Sequence, residues 1–88
     1  MTEQESLLEF PCEFALKALG KNNPEIDTRV YEIVCRHVSD LNFEAVSTRP
    51  SKGGKYVSVT VVIQATSKAQ LDAIYQDLTA SDEIIMAL

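Results

Sequence analysis

The densest positive charge in this chain lies in one short run, Arg49, Pro50, Ser51, Lys52, Gly53, Gly54 and Lys55, followed by Tyr56. Cations interleaved with glycines can offer an anion both positive charge and unpaired backbone N–H groups. The spacing matches neither GxxxxGK[ST] nor GxGxxG, and the run joins two strands instead of opening a helix. Two readings stand. Arg49, Ser51, Lys52, Gly54, Lys55 and Tyr56 contact an anion, a nucleic acid or a protein, or they form a solvated hairpin tip whose charges guard a sheet edge. Gly20 and Asn22 make a second candidate, because a strand-to-helix turn can hold a ligand carboxylate at the helix N-terminus. A turn needs its glycine in any case.

The other reactive side chains have simpler explanations. His37 is the only histidine. It lies at the end of a helical pattern with no nucleophile placed beside it, so packing at the core edge accounts for it. Cys12 falls on the apolar face of a strand, where thiols are inert, and Cys35 falls opposite an apolar helical stripe. The pair does not form CxxC and has no histidine at metal spacing. Glu25, Asp27 and Glu32 belong to one helix, and Asp72 and Asp77 to another. Asp82-Glu83 is a weak metal candidate. Compact acylphosphatases use a glycine-rich cradle near the first strand, which this chain lacks. No catalytic, cofactor or metal residue is assigned, and the expected function is non-enzymatic.

Composition narrows the class further. The chain has 88 residues, a net charge of −5 and 45% hydrophobic residues. That is one globular domain with a thin core. An acidic chain is a poor nucleic-acid binder unless its few bases cluster. No apolar run approaches the length of a membrane span. The start carries Glu3, Glu5 and Glu9 without a base, unlike a secretory signal. Free thiols and a cytoplasmic location are therefore expected.

The elements that must position these residues follow from periodicity. Residues 1–9 read as a polar tail that Leu7 and Leu8 can anchor, and 10–88 as one domain. Residues 10–19 alternate, with Phe10, Cys12, Phe14, Leu16 and Ala18 on one face, and Gly20 ends that strand. Asn23-Pro24 opens a helix from about 24 to 38, with Ile26, Val30, Ile33, Val34 and His37 on one face. Glu25–Arg29 and Glu32–Arg36 are spaced as i,i+4 pairs. Residues 42–48 read as a soft edge strand and 50–55 as a loop. Residues 56–66 give the strongest strand, with Val57, Val59, Val61, Ile63 and Ala65 inward. Ser67 and Gln70 form a capping box before a helix that ends near Ala80, and 83–88 form a last strand. The order βαββαβ closes as a ferredoxin-like α+β fold: a four-stranded antiparallel sheet, strands one and three central, both helices on one face. The other face is partly polar.

Four segments, LLEFPCEFALKALG (7–20), RHV (36–38), RPSKGGKYVSVTV (49–61) and ATSKAQLDAIYQDL (65–78), resemble the YbeD-like family of small uncharacterised bacterial proteins. The resemblance runs from Leu7 to Leu88. It implies the same ferredoxin-like fold and a kinship in shape to the amino-acid-binding regulatory modules called ACT domains. It supplies no catalytic residues, and Cys12 and Cys35 belong to no pattern within it. The expectation is a regulatory or interaction module that binds a partner protein or a small anionic metabolite. Side-by-side pairing into a homodimer through edge strands is part of that expectation. The alternative is an RNA-binding module of the same fold, which would need aromatics on the open faces of the central strands.

Overall fold

The computed structural model describes residues 9–88. The tail read over 1–9, with its Leu7–Leu8 anchor, lies outside the described residues apart from Glu9. Strand β1 spans Cys12–Lys21, helix α1 Ile26–Cys35, β2 Val46–Pro50, β3 Tyr56–Ala65, helix α2 Lys68–Thr79 and β4 Ile84–Ala87. The strands form one sheet in the order β2-β3-β1-β4, and each neighbouring pair is antiparallel. The βαββαβ order, the central strands and the edges are those the periodicity predicts.

One face of the sheet makes the core. Val57, Val59, Val61, Ile63 and Ala65 of β3 are buried with Leu16 and Ala18 of β1. Against them pack Ile26, Val30, Ile33 and Val34 of α1 and Leu71, Ile74 and Leu78 of α2. Burying aliphatic side chains of this size stabilises by about 1.5–3 kcal/mol each. Phe14 sits opposite Ile63 and packs on the same core, as Phe10 does. Cys12 is half-buried rather than enclosed, because it opens β1 at the margin of that core.

Several boundaries differ from the expectation for local reasons. Gly20 does not end β1; the strand runs on to Lys21, with Gly20 opposite Val57. Helix α1 starts at Ile26, two residues after Pro24. Asn23 uses its Oδ1 to accept the Glu25 N–H at 2.8 Å, and this turn precedes the helix instead of capping it. Residues 43–45 form a 3-10 turn, not strand. Asn42 Oδ1 accepts the Glu44 N–H at 2.9 Å, and that local bond competes with a sheet ladder. The i,i+4 pairs on α1 also give way to tertiary partners: Arg29 Nε lies 3.0 Å from Glu83, and Arg36 Nη1 lies 3.8 Å from Asp77. The capping box holds, with Ser67 Oγ accepting the Gln70 N–H at 3.0 Å. Gln70 Oε1 reaches back to the Thr66 N–H at 2.8 Å.

Gly20 is where β1, β4 and α1 meet. The β1–β4 register shifts between Leu19 and Gly20, leaving Ile85 as the extra residue of a bulge. A Cβ on Gly20 would lie 2.7 Å from the Glu83 carbonyl oxygen and 2.8 Å from Ile26 Cδ1. Gly20→Ala is expected to cost about 1–3 kcal/mol by overpacking, read as a lower urea midpoint at unchanged slope. Gly53→Ala meets no atom within 4 Å but sits at φ +88°, so backbone strain alone should cost roughly 1 kcal/mol. A Gly20→Ala protein as stable as the parent would show that β4 can move away from β1.

Candidate functional site

The two sequence candidates, the hairpin over 49–56 and the turn at Gly20–Asn22, form one structure. Ser51 and Tyr56 close the hairpin: the Ser51 N–H donates to the Tyr56 carbonyl at 2.7 Å, and the Tyr56 N–H donates to Ser51 Oγ at 3.0 Å. Within it, the Gly54 N–H donates to the Ser51 carbonyl at 2.8 Å. Gly53 and Gly54 both have positive φ, at 88° and 75°, which glycine adopts at little cost. Asn22 then ties this tip to the end of β1. Its Nδ2 donates to the Gly54 carbonyl at 2.7 Å, and its N–H donates to the Lys55 carbonyl at 3.1 Å. Beside this tie, a shallow groove of about 200 Å³ runs between Asn22, Asn23, Pro24, Asp27 and Thr48. Lys52, Lys55 and Tyr56 project from the tip, all exposed.

Arg49 points elsewhere. It pairs with Ser58 on β3, and Ser58 pairs with Leu19 on β1, which pairs with Met86 on β4. These four side chains cross the face of the sheet that carries no helices, since directly opposite residues share a face. The next row runs Ser47, Thr60 and Lys17. Lys17 and Leu88 exchange backbone hydrogen bonds of 3.0 and 2.7 Å, which places Leu88 in that row. Tyr56 opposite Lys21 closes the hairpin end. The period-two alternation of residues 10–19 and 56–66 puts Leu19, Lys17, Ser58 and Thr60 on this face. It missed Arg49, Met86 and Leu88, whose placement depends on the β2 register and the β4 bulge.

His37 does not join the site. It lies just past α1, half-buried, with Nε2 2.7 Å from Asp77 Oδ2 of α2, and its carbonyl accepts Gln70 Nε2 at 2.9 Å. It fastens the two helices together, and Asp77 is the partner that spacing could not reveal. Cys35 is half-buried. A hydrogen bond with Cys35, followed by burial, holds the Tyr31 phenol above its usual 10. Burial alone raises Tyr75. No cluster of three His, Cys, Asp or Glu side chains able to hold a metal occurs among the described residues, Asp82 and Glu83 included.

Two predictions follow from this geometry. Asn22→Ala removes the bond to Gly54, costs about 0.5–1.5 kcal/mol, and should speed amide exchange at Gly54 and Tyr56 while leaving β3 protected. Exchange at the tip that stays at the parent rate would show that Asn22 does not hold it. The folded state favours the neutral form of Tyr75. Its stabilisation is therefore complete below pH 10 and is lost as pH rises through the raised value. Thermal melts from pH 8 to 12 should fall less steeply for Tyr75→Phe than for the parent, and parallel curves would remove Tyr75 from the account.

Comparison with known proteins agrees with the resemblance read in the sequence. A family model described as "Protein of unknown function (DUF493)" matches residues 5–88. A UPF0250 protein of Paraburkholderia phytofirmans is 42% identical over 84 residues, 96% of this chain and 94% of its own. Another, from Neisseria gonorrhoeae, is 42% identical over the full length of both chains. Among solved structures, protein HP0495 from H. pylori superposes with a TM-score of 0.73 at 15% identity, covering 92% of this chain and 85% of that one. The ACT domain from GTP pyrophosphokinase of Chlorobium tepidum follows at 0.64 and 9% identity, over 86% and 84%. Both likenesses establish the ACT-like, ferredoxin-like fold alone. The chain belongs to the DUF493 family of proteins of unknown function, whose curated bacterial members are called UPF0250 and correspond to the YbeD-like group.

Proposed function

We propose that this protein is a non-enzymatic regulatory or interaction module of the cytoplasm, contacting a partner protein or a small anionic metabolite at the hairpin end of its sheet. The observation that carries the reading is the joining of the two candidates. The Asn22 bonds to Gly54 and Lys55 hold a glycine-bearing tip in one conformation, with Lys52 and Lys55 projecting from it. A fixed loop carrying unpaired cations loses less freedom on binding than a mobile one. Among the described residues, Arg49, Lys52 and Lys55 make no ion pair within the chain, so their charge is available to a ligand. The Chlorobium tepidum neighbour is by name a domain of an enzyme, so this fold serves there as an attached module. The RNA reading has less support. Phe10 and Phe14 pack on the core, which leaves Tyr56 as the aromatic of β1 and β3 on the helix-free face. Two exposed edges, β2 and β4, leave room for self-pairing into a homodimer.

The test is an affinity capture from native lysate with the tagged protein beside an Arg49/Lys52/Lys55→Ala variant. Thermal shift with amino acids and anionic metabolites accompanies it, since a ligand of the folded state raises the melting temperature. The expected result is a partner or ligand retained by the parent and lost by the variant. Identical profiles for both proteins, with no stabilising ligand, would overturn the reading.

A further inference from the structure

Charge is sorted in this molecule. The bases on the helix layer are all engaged: Arg29 with Glu83, Arg36 with Asp77, and Lys68 with Asp72. Lys17, Lys21, Arg49, Lys52 and Lys55 are exposed, lie on the helix-free sheet face or the hairpin tip, and their side chains form no ion pair among the described residues. On that face the acid contributed by β1 is Glu13, at the far end from the hairpin opposite Gln64. A chain of net charge −5 thus keeps a basic half-face.

Its centre is apolar. Leu19 lies between Lys17 and Lys21 on β1, with Met86 beside it in the cross-strand row and Leu88 in the next. Leu19, Met86 and Leu88, with the stem of Lys17, line a groove of about 140 Å³. Met86 is 48% exposed and Leu88 69%. Aliphatic side chains in a concavity, rimmed by unpaired cations on two sides, match one class of ligand.

We infer that the helix-free sheet face is the docking surface for an acidic peptide segment of a partner protein. An aliphatic side chain of that segment enters the groove between Leu19, Met86 and Leu88, and its carboxylates meet Lys17, Lys21 and Arg49. This rests on the reading of the chain as an interaction module and places the contact on the face rather than only at the tip. Charge complementarity selects the occupant. Lys17 and Lys21 stand four residues apart on one strand, about 13 Å, a span that acidic side chains flanking one anchor residue can bridge. Nucleic acid would call for stacked aromatics where this groove has aliphatic side chains. An anionic membrane would meet a protein of net negative charge. A second copy could offer only its acidic helix layer, a face-to-back contact that does not close under two-fold symmetry.

The experiment selects a random dodecapeptide phage library on the immobilised full chain, then measures recovered peptides by fluorescence anisotropy. Recovered sequences should be enriched in Asp and Glu around a Leu, Ile, Val or Met. Lys17→Glu/Arg49→Glu should weaken them roughly tenfold or more, and Leu19→Ser should weaken them comparably. Raising NaCl from 50 to 500 mM should weaken them several-fold, whereas Arg36→Glu on the helix layer should leave them unchanged. Thermal melts establish that each variant is folded. Recovery of peptides without acidic excess, or equal binding to the charge-reversed variant, overturns the surface while the module reading stands. Tighter binding of single-stranded oligouridylate or of phosphatidylserine vesicles than of any peptide, or self-association through this face, also overturns it. Recovery of no peptide overturns it too, and joined with an empty lysate capture it removes the module reading as well.

Discussion

A four-stranded sheet with only two helices can cover one of its faces, and this limit governs the rest of the molecule. The core is a single layer of side chains between β1, β3 and the two helices, with Val34, Val59, Val61, Ala65, Ile74 and Leu78 fully enclosed. Antiparallel sheets tolerate one wet face when alternation supplies polar residues there. β3 does so with Ser58, Thr60 and Gln64, although Val62 is exposed among them. β1 does so only in part, because Leu19 sits between Lys17 and Lys21, and β4 adds Met86 and Leu88 beside it. The uncovered face is therefore mixed, with aliphatic side chains set between cations.

Tight backbone approach at the hairpin end follows from the same limit. With few layers to hold it, the chain fixes its loops by hydrogen bonds to neighbouring loops. Asn22 serves the 49–56 hairpin in this way, and Gly20 lets β4 and Ile26 come close enough for the β1–α1 turn to stay compact. Across the helix layer, His37, Asp77 and Gln70 do the equivalent work between α1 and α2. Each of these side-chain hydrogen bonds joins residues more than 30 positions apart, so each constrains topology as well as local shape.

Much of this was legible in the sequence, and what was not shares one cause. Period-two alternation in 56–66 and the S-x-x-Q box at Ser67 are local signals, and the structure reproduces them. The burial of Phe10 and Phe14 against the core could be read in the same way. Asn42 and Asn23 depart from their sequence expectation because their side chains bond the backbone two residues on, which propensity alone does not distinguish from capping or strand. The pairing of Arg29 with Glu83 and the union of Asn22 with Gly54 depend on which loops meet at one end of the sheet. Arg49, Met86 and Leu88 required register, and on β4 a single bulge residue, Ile85, decides which side chains face outward.

An acidic chain with a basic face is no contradiction once paired and unpaired charges are separated. A base that lies beside a carboxylate contributes little field beyond its own pair, and Arg29, Arg36 and Lys68 are spent in this way. The acids of α1 and α2, Asp27, Glu32, Asp72 and Asp77, lie with the helices on the far side of the sheet, as does Glu25 just before α1. The face opposite the helices therefore presents Lys17, Lys21 and Arg49, which form no ion pair among the described residues. Sorting of charge between the two faces thus gives one small fold a cationic surface without a basic composition.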